Sequence, residues 1–120
     1  MNPVTEKKLE GYFGFAKKMP RGLLVGMRLE EGLSKGKVSL LILTSTSSDR
    51  NKEHLQNLSA GRKNILILDY KGEFNLSLAA GYEKVSALGI RDPHLGKAIY
   101  DILSGKEEET KASEGGGVNE

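Results

Sequence analysis

The chain has 120 residues, 38% of them hydrophobic and 28% charged, a composition that suits one globular domain with a single core. It contains no cysteine, which excludes a disulfide framework, a thiolate nucleophile and a cysteine-ligated metal. The net charge of +2 hides an asymmetry, because residues 106–120 hold two lysines and five glutamates while residues 1–105 hold 16 Lys/Arg against 11 Asp/Glu, a body of +5.

Asn2 and Pro3 read as an N-cap and a first helical residue. Leu9, Tyr12, Phe13, Ala16 and Met19 then recur at helical spacing, and Pro20 ends that helix. Residues 22–25 form a short apolar piece, predicted as a small strand. A second helix is predicted over residues 27–35, with Leu29 and Leu33 inward and Gly36 as its stop. Residues 38–43, broken only by Ser39, read as a strand buried on both faces. Ser47 or Ser48 caps a third helix that buries Leu55 and Leu58 and ends at Gly61. Residues 65–68 are the next apolar strand, predicted as buried, with Asp69 just past its end. Residues 73–80 support a short helix closed by Gly81, and residues 85–90 a further strand. Asp92-Pro93 repeats the cap-plus-proline start, and Leu95, Ala98, Ile99, Ile102 and Leu103 make the last amphipathic helix.

About four strands and five helices in alternating order predict an α/β fold, a three-layer α/β/α sandwich over residues 1–105. The connections have the length of right-handed crossovers, and the first short strand suits an antiparallel edge. Residues 106–120, acidic and carrying Gly115-Gly116-Gly117, are expected to form a disordered acidic tail. No apolar run approaches the roughly 20 residues of a membrane span. The N-terminal MNPVTEKKLEG lacks the apolar stretch of a signal peptide, so the expectation is a cytoplasmic protein with no membrane partner.

Segments FAKKMPRGLLVG (15–26), EGLSKGKVSLLIL (31–43), the helix start at Ser47–Leu55, AAGYEKVSALGIRD (79–92) and HLGKAI (94–99) carry a family likeness. Over residues 9–103 the chain resembles the ribosomal L-seven-Ae/L-thirty-e superfamily of small proteins that bind kink-turns, which are sharply bent RNA elements. The family reads RNA with a Gly-x-Asn-Glu signature at the start of its second helix. Here Val25 or Gly26 stands at the glycine, Met27 and Arg28 stand about where Asn and Glu belong, and Glu31 replaces a common lysine. Thr44, Ser45 or Thr46 replaces the acidic residue usual after the second buried strand. Small bacterial members with a degenerate motif are the nearer comparison.

The resemblance implies a non-catalytic RNA-binding protein that docks structured RNA, of kink-turn-like or ribosomal kind, through the loops at 20–28 and 81–85 as one continuous face. Arg21, Arg28, Lys37 and Lys84 would then neutralise phosphates. Gly22 and Gly26 would let the bent strand approach closely, Met27 and Val85 would pack on bases, and Tyr82 would stack. The alternative is a protein-interaction module that keeps the fold without specific RNA recognition, a use to which an exposed Met27 is suited.

Catalysis finds little support in the residues. His54 and His94 lack ligand partners at metal spacing, and Asp69 has no nucleophile or cation partner near it in sequence. A turn role with Lys71-Gly72 suits Asp69. The hydroxyl run 44–48 lacks the spacing of a phosphate-binding loop and is explained by capping and turn formation. No enzyme, metal or cofactor is therefore expected. The oligomeric state stays open.

Overall fold

The computed structural model describes residues 2–61 and 64–105. The expected acidic tail, residues 106–120, lies outside the described residues. The order of elements is α1 (Pro3–Lys18), β1 (Leu23–Leu24), α2 (Gly26–Ser34), β2 (Leu40–Leu43), α3 (Asp49–Leu58), β3 (Leu66–Asp69), α4 (Leu76–Ala79), β4 (Ala87–Ile90) and α5 (Pro93–Leu103). The α/β sandwich read from the sequence is the fold observed, with a mixed four-stranded sheet in the order β1-β4-β2-β3.

Alternation along the strands divides the core between two helical layers. Leu40, Ile42, Leu88 and Ile90 point to one face, where Leu9, Phe13 and Ala16 of α1, Leu76 of α4 and Ile99 and Ile102 of α5 cover them. Leu41, Leu43 and Ala87 point to the other and meet Leu29 and Leu33 of α2 and Leu55 of α3. Every residue of β2 is fully buried, which explains its unbroken apolar run.

Four helix starts follow the sequence closely, whereas α4 begins at Leu76 and not at 73, because Asn75 is its cap. Asn2, Ser48, Asn75 and Asp92 each accept a hydrogen bond from a first-turn N–H, at Thr5, Asn51, Leu78 and Leu95. At α2 the N-cap is Val25, which offers no side-chain acceptor.

Three expectations are corrected. Pairing β2 with β3 is parallel, as an α3 crossover requires, and β1 is the antiparallel edge expected, but β4 also runs antiparallel to β2. Only one strand pair is therefore parallel, because the β3–β4 connection returns the chain in the opposite direction. Strand β3 is an edge, half-buried and exposed by turns, and not a buried strand, since β2 flanks it on one side alone. Asp69 is the last residue of β3 and not just past its end, and it pairs with Lys52 of α3, distant in sequence, at 3.1 Å.

Candidate nucleic-acid interface

Sheet register decides which loops meet. Leu23 and Leu24 pair antiparallel with Ile90 and Gly89, and the Arg91 N–H donates to the Gly22 carbonyl at 3.1 Å. The turn at 20–22 therefore sits beside Arg91, past the C-terminal end of β4. At the other end of the sheet, the Thr44 N–H donates to the Ser86 carbonyl and its hydroxyl to the Val85 carbonyl. Four-residue strands at about 3.3 Å per residue hold these two ends on the order of 10 Å apart.

The expectation of one continuous face at 20–28 and 81–85 is corrected by this register. Arg21 and Gly22 lie at one end of the sheet, and Lys84 and Val85 at the other. Gly26 and Met27 follow Leu24 in the direction of the second group. Nor is Val85 free to pack on a base, because it is partly buried against the main core. Its N–H donates to Ser77 Oγ and its carbonyl accepts from Thr44 and Thr46. Gly22 is likewise committed internally, since a Cβ there would run into the Ala16 carbonyl oxygen. Gly26 has open space around it but a φ of +60°, which glycine tolerates best. Met27 is 86% exposed and Tyr82 40%, so both present apolar surface to solvent.

The fold also gathers cations that are scattered in sequence. Arg21, Arg28, Lys35, Lys37 and Arg91 line one cavity of about 160 Å³ between β1 and α2, together with Leu24, Glu31 and Gly32. Leu24 is buried. A Cβ at Gly32 would meet Leu24 Cδ1 at 2.9 Å, so the glycine lets α2 lie close against β1. Glu31 supplies the single carboxylate of the lining and lies 3.3 Å from the Lys35 ammonium. Among the described residues Arg21, Arg28, Lys37 and Arg91 form no ion pair.

Sequence reasoning found Arg21, Arg28 and Lys37 as candidates. It missed Arg91, whose signal was a lone cation immediately after the last strand, in Ile90-Arg91-Asp92. Only the antiparallel pairing of β1 with β4 brings that residue to the turn at 20–22.

Other candidate chemistry is tied up in structure. Thr44 and Thr46 hydrogen-bond each other and the backbone at 85–86, and Asn51 donates to the Ser47 hydroxyl. His54 Nε2 lies 3.2 Å from Glu30, on adjoining helices α3 and α2. Among the described residues no three His, Cys, Asp or Glu side chains are grouped to hold a metal ion, and no helix is long and apolar enough to cross a membrane.

No family model and no curated protein matches this chain. A solved structure described as a protein with unknown function from Bacillus halodurans is similar, with a TM-score of 0.66 and 21% identity. The match covers 81% of this chain and 97% of that one, and it establishes a shared fold.

Proposed function

We propose that this protein is a non-catalytic, cytoplasmic RNA-binding protein that docks structured RNA, as members of the kink-turn-binding superfamily it resembles do. One observation carries the reading: five cations from four separate segments surround a single cavity beside β1 and α2, with one carboxylate among them. Lys and Arg grouped in this way supply the salt-sensitive affinity for phosphate that nucleic-acid binding needs. Nearby, the first turn of α2 presents backbone N–H groups with no side-chain cap, and Met27 stands exposed beside them. Tyr82 and Lys84, on the loop at the other end of the sheet, would extend the contact along the molecule.

Arg28 belongs both to the cavity lining and to the first turn of α2, so it tests the reading well. Arg28→Glu is expected to weaken binding of a fluorescent kink-turn RNA strongly while leaving the circular dichroism spectrum unchanged. Wild-type affinity in the folded variant would remove Arg28 from the interface.

A second reading, a protein-interaction module on the same fold, is favoured by the exposure of Met27. Titration with salt separates the two. Phosphate contacts weaken steeply as salt rises, whereas an apolar contact to a protein holds.

A further inference from the structure

We infer that the cavity between β1 and α2 is a subsite for a single phosphate group, with Arg91 and Arg21 as its principal donors. The inference rests on the RNA reading for the source of that group, a phosphodiester of the bound strand. It adds a site at the end of the sheet away from the 81–85 loop.

Size, floor and charge agree on such a ligand. At about 160 Å³ the cavity is smaller than the roughly 300 Å³ at which pockets begin to take drug-sized molecules, a size that suits a phosphate group. Leu24 and Gly32 give it a partly apolar floor, which strengthens a charge contact by lowering the local dielectric. Three of the five cations are arginines, whose planar forks match two phosphate oxygens at once. Glu31 already engages Lys35, which leaves Arg21, Arg28, Lys37 and Arg91 as the uncompensated charges of the lining.

Backbone geometry at Arg21 adds a separate argument. The Gly22 N–H donates to the Met19 carbonyl at 3.0 Å, so Pro20 and Arg21 are the central residues of a tight turn. Arg21 has a φ of 55°, as the third position of a type II turn requires, and that position ordinarily holds Gly or Asn. Arg21 is the one non-glycine residue with positive φ among the described residues. An arginine in a glycine position is unfavourable for stability, and here that residue lines the cavity. The Arg91 N–H bond to Gly22 fixes the second arginine against the same turn.

The experiment uses the full chain and three variants, Arg21→Gly, Arg91→Gln and Glu31→Gln. Kink-turn RNA affinity is measured across a salt series, and the melting temperature is measured with and without inorganic phosphate. Arg91→Gln should lose RNA affinity several-fold and flatten the log–log salt slope by about one. Arg21→Gly should lose affinity while keeping or raising the melting temperature, a split that a merely structural role would not give. Glu31→Gln should bind RNA more tightly. Phosphate should raise the wild-type melting temperature and fail to do so in Arg91→Gln. RNA binding with wild-type affinity and slope in both arginine variants would overturn the subsite and leave the RNA reading standing. Absence of RNA binding, with a phosphate shift that Arg91→Gln abolishes, would overturn the RNA reading and support the subsite. Absence of both would overturn both.

Discussion

Gly22 and Gly26 look alike in the sequence, four residues apart on either side of a short strand, yet they do different work. A Cβ at Gly22 would press on the Ala16 carbonyl oxygen and the Met19 Cβ, where backbone cannot yield cheaply. Gly22→Ala is therefore expected to destabilise the fold by about 1–3 kcal/mol, read from urea denaturation, as overpacking does. At Gly26 nothing lies within 4 Å of a Cβ, so Gly26→Ala suffers only the left-handed backbone, a penalty of about 1–2 kcal/mol. Met27, at 86% exposure, is the contrasting case. Met27→Ser should leave stability within about 0.5 kcal/mol of wild type. Loss of binding in that variant would then report the interface alone. Neither glycine's role was legible beforehand: one depends on where α1 ends relative to β1, the other on a dihedral angle.

Helix boundaries were the most legible part of the chain because their signals are local. Asn2-Pro3 and Asp92-Pro93 marked two helix starts, and Gly36, Gly61 and Gly81 marked three ends, each with positive φ. Ser48, Asn75 and Asp92 cap by accepting a first-turn N–H, and replacing any of them by alanine should lower stability by about 1 kcal/mol. The fifth start, at Val25, has no side-chain cap to lose. Strands were less legible. Residues 65–68 and 40–43 are apolar runs of similar length, and periodicity alone cannot say which one flanks the other. Only β2 has neighbours on both sides. Strand direction was equally hidden, since the spacing between β3 and β4 fits a return of either sense.

At the scale of the molecule, topology decides the shape of the candidate site. Reading the loops at 20–28 and 81–85 as one face followed the family resemblance; the β1–β4 and β2–β4 registers put Arg21 and Val85 at opposite ends of the sheet. The same registers bring Arg91 to Arg21, so the basic cavity joins the last strand to the first turn. An RNA strand contacting both ends must run along the β1 edge for on the order of 10 Å, the length of the four-residue strands. If the cavity neutralises a single phosphate, its share of the salt dependence is about threefold in affinity between 50 and 200 mM salt. A fluorescence titration over that range checks the number of contacts directly. Integrity of the sandwich is set by the layer under α1, where Phe13 is fully buried, and Phe13→Ala should destabilise by about 3–5 kcal/mol.

The central claim is that this fold docks structured RNA through the cations beside β1 and α2. Its most direct test is binding of a fluorescent kink-turn RNA and an unstructured RNA of equal length, at low and at physiological salt. The account predicts tighter binding to the kink-turn, with the preference surviving at physiological salt. Binding to neither RNA would contradict it.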